Sequence, residues 1–368
     1  MIDISKFSLY ILRPGAGHDI HFRGSRRMAK ALIVQTAFIG DVVLTLPLAS
    51  ALRREGFEPA FLVVPRTAEL PASHPDVSEV VIYDKKGRDG GLPGLLRTAG
   101  EVRRGRFDLA VLPHPSLRSA LLALLGGVPE RIGFSSSAFG FLYTASVPYG
   151  REAHKVLRNL SLLGPIGVSS PPPEPPWLIP ERKHEEVALS FLREHGLEGR
   201  PKVALAPGSV WPTKRWLPEG FRRVAEALVG MGVGVVLVGG AEDRELCERI
   251  ARGLSPKPAV AAGRTSIMES AALLKFCSVL VSNDSAPVHI ASAVGTPVVA
   301  IFGPTVPAFG FGPYGPGHGV VELDLPCRPC SVHGGRRCPE GHFMCMRGIT
   351  PEMVLKEVWA RLDVERRR

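Results

Sequence analysis

Short apolar runs recur along the chain, and most are followed by a segment whose apolar residues return every three or four positions. Lys30-Ala-Leu-Ile-Val-Gln35 has the pattern of a buried strand, and 42–54 after it carries its apolar residues on one face of a helix that Pro47 is expected to kink. Strands are predicted at 60–64, 80–83 and 109–112. A basic helical stretch is predicted at 95–104, with further helices at 119–125 and 154–163. Strands alternating with helices imply a parallel sheet with right-handed crossovers. The alternation stops at Ser169-Ser-Pro-Pro-Pro-Glu-Pro-Pro176, which holds neither a helix nor a central strand and reads as a semi-rigid linker over 169–180. It then resumes, with helices at 185–195, 221–231, 266–276 and 288–294 and strands at 202–206, 234–238, 278–282 and 297–302. The expected fold class is α/β. Two Rossmann-like, doubly wound domains, 28–168 and 181–350, face each other across a cleft, and a C-terminal helix follows at 351–368. In such sheets ligands bind outside the carboxyl ends of the strands.

Composition agrees with this and narrows the partners. A chain of 368 residues with 45% hydrophobic content supports two packed domains and excludes a disordered or fibrous class. No uninterrupted apolar run reaches the roughly 20 residues of a spanning helix. Residues 1–27 mix Asp, His, Arg and Gly without an apolar signal core, so we expect a cytoplasmic protein. Those residues read as a poorly ordered extension, with Met28 as an alternative start. The formal net charge of +10 points to anionic partners, a phosphorylated substrate or a membrane surface. Basic residues are scattered, as at Arg103-Arg104 and Arg222-Arg223, with no helix-turn-helix, zinc-finger or RNA-binding signature, so no nucleic-acid partner is expected.

Neither G-x-G-x-x-G after the first strand nor G-x-x-x-x-G-K-[ST] occurs, which removes the usual fingerprints of dinucleotide redox chemistry and P-loop phosphoryl transfer. No D-x-D pair stands at a strand end; Glu322-Leu-Asp324 lies past the sheet. Phosphate binding without a required metal is therefore expected. Four strand-to-helix junctions carry chemistry instead. Gly40-Asp41 places a carboxylate at a helix start, where Asp is ordinarily a cap and alternatively a general base for an acceptor hydroxyl. Pro207-Gly208-Ser209, with Thr213-Lys214-Arg215-Trp216 beyond, offers backbone amides and a point charge suited to a diphosphate. Gly239-Gly-Ala-Glu242-Asp243 lets a ligand approach the backbone and sets carboxylates where ribose hydroxyls can donate, with helix capping as the competing role. Ser282-Asn-Asp284-Ser285-Ala286-Pro287-Val-His289 has the make-up of an anion nest opening a helix, His289 being ordinarily a core residue. Gly263-Arg264-Thr265-Ser266 reads as a loop closing over a base. Cys327, Cys330, Cys338 and Cys345 have zinc-site composition without the spacing of a standard finger, so a structural zinc and reduced packing thiols both stay open.

Taken in order, Gln35-Thr-Ala-Phe-Ile-Gly-Asp-Val-Val-Leu-Thr-Leu-Pro47, Pro207-Gly-Ser-Val-Trp-Pro-Thr-Lys-Arg-Trp216, Gly239-Gly-Ala-Glu-Asp243, Ser282-Asn-Asp-Ser-Ala-Pro-Val-His289 and Gly295-Thr-Pro-Val-Val-Ala-Ile-Phe-Gly303 resemble the ADP-heptose:lipopolysaccharide heptosyltransferases. The segment from Cys327 to Cys345 is similar to one in the heptosyltransferase II branch. The resemblance implies a GT-B fold with an acceptor-binding N-terminal and a donor-binding C-terminal domain. It also implies inverting transfer of heptose from ADP-heptose to an anionic heptosyl-Kdo-lipid A acceptor, with peripheral contact at the inner face of the inner membrane. Asp41 then stands as the base and Lys214 as the diphosphate ligand, with Ser209 and Thr213 in the same loop. Glu242 is the ribose-binding acid, Arg264 lies over the base, and Asp284, Ser285, Ala286 and His289 belong to the donor motif. Many relatives carry Gly and an apolar residue where Ala286-Pro287 stands here. Arg118 and Arg131, with Arg103 and Arg104, are expected acceptor contacts. The alternatives are another GT-B nucleotide-sugar transferase, an epimerase of similar architecture, and a non-catalytic nucleotide-sugar or polyanion binder.

Overall fold

A computed structural model describes residues 28–168 and 173–366; the expectations for 1–27 and for the first four linker residues lie outside it. Among the described residues twelve strands form two sheets. The first comprises β1 (Ala29–Val34), β2 (Phe57–Val63), β3 (Glu79–Ile82), β4 (Leu109–Leu112), β5 (Glu130–Phe134) and β6 (Ala145–Val147). The second comprises β7 (Lys202–Ala206), β8 (Gly234–Leu237), β9 (Ala259–Val260), β10 (Val279–Asn283), β11 (Val298–Ile301) and β12 (Gly319–Val321). Every pairing is parallel. The spatial orders are β3-β2-β1-β4-β5-β6 and β12-β11-β10-β7-β8-β9. Counted within its own half, each sheet therefore runs 3-2-1-4-5-6, the doubly wound order whose switch point lies between strands 1 and 4.

The crossovers of the first half are α1 (Ile39–Val43), α2 (Pro47–Arg54), α3 (Glu69–Ala72), α4 (Gly91–Gly105), α5 (Leu117–Leu125) and α6 (Lys155–Ser161). In the second half they are α7 (Arg182–Glu194), α8 (Pro218–Gly230), α9 (Arg244–Ala251), α10 (Ile267–Lys275), α11 (Ala286–Ala293), α12 (Met344–Arg347) and α13 (Pro351–Arg366). The single kinked helix expected over 42–54 is two helices. α1 stops at Val43 and Pro47 opens α2, where a ring without an N–H loses nothing. A buried polar knot holds the break. The Thr45 hydroxyl donates to the Asp41 carbonyl at 2.6 Å and accepts from Gln35 Nε2 and Asn159 Nδ2 at 3.1 and 3.2 Å. Asn159 Nδ2 also donates to the Leu44 carbonyl at 2.8 Å.

The two halves share one apolar core. Val42 and Val43 of α1 belong to the same buried cluster as Val288 and Ala291 of α11. The chain after the prolines packs onto the second half, where the Trp177 and Leu178 amides both donate to the Ala293 carbonyl at 2.9 and 3.2 Å. α13 packs Val354, Val358 and Leu362 with the strands of the second sheet. Among the described residues no helix is long and apolar enough to cross a membrane.

Candidate active site

Both switch points open on the same cleft. Asp41 follows β1, Gly208 and Ser209 follow β7, and Asp284 and Ser285 follow β10, so each residue stands beyond the carboxyl end of a switch-point strand.

Asp41 is not the cap of α1. Phe38 occupies that position in extended backbone, and Asp41 lies in the first turn, half-buried. Burial pushes its carboxyl above the usual carboxylate range; Lys155, His114 and His333, in that order, and the backbone of Phe38 pull it back down. These three groups come from three places: the start of α6, the turn after β4, and a loop of the second half. Lys155 is only 5% exposed. Its ammonium donates to the Pro113 carbonyl at 3.3 Å and lies 5.4 and 5.7 Å from the ring centroids of Phe134 and Tyr149. Burial lowers its pKa to about 8, with Asp41 opposing. Sequence reasoning passed over Lys155, His114 and His333. Lys155 opens a helix that also carries Arg158 and Asn159, so nothing in the sequence set it apart.

On the facing side Lys214 and Asp284 pair at 2.5 Å, and both side chains are largely buried. The Thr305 hydroxyl donates to Asp284 at 2.6 Å. Asn283 ties the two donor loops together: its Nδ2 donates to the Pro207 carbonyl at 2.8 Å and its Oδ1 accepts from the Trp216 amide at 2.9 Å. Ser285 is the N-cap of α11, but its hydroxyl leans on the Asn283 and Gly208 carbonyls at 3.2 and 3.4 Å. The first amides of α11, Ala286 among them, thus face the cleft without a side-chain cap, and Pro287 has no N–H to leave unpaired. Ser209 is half-buried beside this nest and Thr213 is buried.

The remaining sequence-predicted residues divide. Glu242, exposed after β8, meets Arg66 of the first half at 3.3 Å across the cleft. Asp243 serves as the cap, accepting from the Gly240 amide at 3.0 Å. Arg264 turns onto α7, 3.6 Å from Glu194 and 5.5 Å from the Phe191 ring centroid, rather than over the donor loops. His289 is 6% exposed and packs under α1, where a Cβ on Gly40 would lie 2.7 Å from its Cδ2. It is therefore a seam residue in direct contact with the turn that carries Asp41. Arg118 is exposed at the start of α5, at the cleft rim. Arg131 lies at the opposite end of its strand, and its guanidinium donates to the Val128, Pro129 and Leu142 carbonyls at 2.6, 2.9 and 2.8 Å. That placement commits Arg131 to holding turns together away from the cleft, so we carry only Arg118 forward as an acceptor contact.

The four late cysteines are free thiols. Cys330, Cys338 and Cys345 line one pocket together with Thr213. Burial pushes Cys345 up to about 11 and also raises Cys330. Among the described residues no three His, Cys, Asp or Glu side chains are placed to hold a metal ion in common.

Known proteins share this architecture. The sequence pattern of glycosyltransferase family 9 (heptosyltransferase) matches residues 95–342. Lipopolysaccharide heptosyltransferase 2 of Escherichia coli K12 is 28% identical over 351 residues, covering 90% of this chain and 98% of that protein. The crystal structure of a family 9 glycosyl transferase from Veillonella parvula superposes with a TM-score of 0.81 at 26% identity, covering 91% of this chain and 97% of the other. The E. coli ADP-heptose LPS heptosyltransferase II structure gives a TM-score of 0.75 at 23% identity over 92% of this chain and 99% of the other, a likeness of fold.

Proposed function

Because the chain belongs to glycosyltransferase family 9, the heptosyltransferases, we propose that it moves heptose from ADP-heptose onto the inner core of lipopolysaccharide, with a heptosyl-Kdo-lipid A acceptor. The observation that carries this reading is the opposition of two unlike groups across one cleft. A half-buried carboxylate opposed by the buried Lys155 ammonium stands on the acceptor side, and a buried Lys214–Asp284 pair beside an uncapped helix start stands on the donor side. A transferase that makes a C–O bond and breaks a C–O(phosphate) bond requires that arrangement. Membership of a glycosyltransferase family sets aside the epimerase and the non-catalytic binder. Relatives that act on lipopolysaccharide and use ADP-heptose support the donor and the acceptor class; the heptosyl-Kdo-lipid A acceptor is our inference.

In this reading the acceptor hydroxyl gives its proton to Asp41 as its oxygen attacks the anomeric carbon. The bond from that carbon to the β-phosphate breaks on the opposite face, and ADP leaves, so configuration inverts. Positive charge grows on the sugar and negative charge on the departing diphosphate. Lys214, Ser209 and the amides at Ser285 and Ala286 meet the latter, preorganised on a helix start. Glu242 accepts from the ribose. Arg118 at the rim attracts the phosphorylated acceptor and the anionic inner leaflet, which supports a working position at the cytoplasmic face of the inner membrane.

The test is a mass-shift assay with ADP-heptose and heptosylated Kdo-lipid A. Wild type should add one heptose. Asp41→Asn should lose on the order of 10²–10⁴ in turnover while binding ADP as before. A D41N enzyme of full activity would remove Asp41 as base, and absence of transfer by wild type would remove the donor or acceptor. Arg118→Glu should weaken use of the acceptor and leave ADP binding unchanged; equal loss of both would sink its assignment.

A further inference from the structure

The loop between β12 and α12 plays no part in the scheme above, yet it is built into the donor side of the cleft. Arg328 fixes its start. Its guanidinium donates to the Gly303 and Leu323 carbonyls, to Thr305 O at 3.0 Å, and to Glu322 at 2.7 Å. The Cys330 amide then donates to the Pro304 carbonyl at 3.1 Å. Ser331 shapes the tip: its hydroxyl accepts from the His333 and Gly334 amides at 3.2 and 2.9 Å and donates to the Gly334 carbonyl at 3.0 Å.

The tip is clamped to the diphosphate loop. The Gly335 amide donates to Thr213 Oγ1 at 2.7 Å, while the Thr213 hydroxyl and amide donate to the Gly335 carbonyl at 3.0 and 3.2 Å. Gly334 has φ +89, and a Cβ there would stand 2.9 Å from Lys214 Cγ and Cδ and 3.0 Å from Trp211 Cβ. The backbone of the tip thus lies directly on the Lys214 side chain. His333, exposed beside that contact, acts electrostatically on Asp41 of the opposite half.

We propose that His333 is a catalytic residue that contacts the sugar during transfer. The inference rests on the reading of Lys214 as diphosphate ligand and Asp41 as base. A sugar bonded to a diphosphate at Lys214 and attacked from the side of Asp41 occupies the space between them. His333 stands exposed at the clamped tip, next to the Gly334 backbone that lies on Lys214, and its electrostatic influence reaches Asp41 on the other side of that space. Imidazole both donates and accepts hydrogen bonds, which suits sugar hydroxyls. Because the tip is bound to Thr213 and packed on Lys214, sugar contact and diphosphate ligand move as one body, the rigidity that in-line displacement demands.

The experiment uses the full chain with His333→Ala and His333→Gln, reading transfer kinetics, ADP affinity by calorimetry and the thermal midpoint. His333→Ala should lower kcat/KM for transfer about tenfold or more, with ADP Kd and midpoint unchanged. His333→Gln should recover part of the loss, since an amide can make the same kind of contact. Full transfer by His333→Ala overturns the proposal. So does a parallel loss of ADP binding, which would mean a collapsed loop. Loss without rescue by Gln, joined to an acid limb moved to higher pH, would also overturn it. His333 would then act only through the charge of Asp41, alongside Lys155 of α6 and His114 after β4, with the neutral His289 of α11 packed on Gly40 behind it. Inactive wild type with ADP-heptose is a separate result, which strikes the donor assignment itself.

Discussion

Lys155 holds a charge where water hardly reaches it, and the consequence can be measured at Asp41. Of the groups that oppose burial at that carboxyl, Lys155 is the largest. Its own pKa, lowered to about 8, leaves it protonated at neutral pH. Lys155→Met keeps much of the stem that packs on Phe134 and Tyr149 and removes the ammonium. The Asp41 pKa must then rise further, since burial is left with fewer opponents. A base works only when ionised, so the acid limb of kcat/KM against pH should move to higher pH in the variant. Above about pH 8 Lys155 gives up its proton, so wild type and variant carry the same charge there and their activities should converge. An acid limb that stays in place would show that the rate does not depend on the ionisation of Asp41. Neither feature was legible in the sequence, because Lys155 lies more than a hundred positions from Asp41 and only tertiary packing sets one beside the other. His114 and His333 escaped for the same reason, the latter inside a segment whose cysteines drew the reading toward metal.

At the scale of elements, legibility followed burial and length. Strands β4 and β7 fall where 109–112 and 202–206 were expected, since an apolar run buried on both faces needs no partner pattern to declare itself. β9 and β12, two and three residues long, gave no period to detect, and β5 opens with Glu130-Arg131, a charged start that hides a strand. α9 lies in a charged stretch, Arg244-Glu-Leu-Cys-Glu-Arg, whose buried side is only Cys247, Ile250 and Ala251. The turns that build the site were the most legible parts of the chain. Gly, Ser and Pro after an apolar strand have few uses besides exposing backbone to a ligand. Sequence alone could not show that α1 ends at Val43. Proline predicted a disturbance, but the Gln35–Thr45–Asn159 knot that turns it into a clean break joins residues from three separate elements. Nor could it show that His289 would be occupied by Gly40, because that contact exists only where α11 of one half meets α1 of the other.

The molecule as a whole is joined by a seam that contains neutral histidines, and this makes the assembly sensitive to acid. His154 caps α6 by accepting from the Val156 amide on Nδ1 at 3.2 Å, so its Nε2 carries the proton given to the Gly312 carbonyl across the seam at 2.9 Å. Beside it the Lys155 amide donates to the Gly310 carbonyl at 2.8 Å, and Arg158 donates to Phe309 O and to the Tyr149 hydroxyl. His289 lies under Gly40 with its Nδ1 buried and unpartnered. Burial pushes His154 down to about 4 and His289 to about 3, from an ordinary 6.5. Between 6.5 and those values the unfolded chain binds protons that the native chain refuses. Stability is therefore complete above about 6.5 and falls as pH drops through the window. At ~1.4 kcal/mol per unit and site, descent from pH 6.5 to 5 costs at most about 2 kcal/mol for each histidine, enough to lower a thermal midpoint by several degrees. Calorimetry at pH 7 and 5 should show that fall in wild type, and His289→Gln, which cannot titrate, should fall less steeply. Identical slopes would mean that His289 is not held neutral, and the seam would then have to open or hydrate at Gly40 long before the sheets unfold. Since Asp41 is the residue after Gly40, transfer activity measured across the same range would register that opening before the calorimeter does.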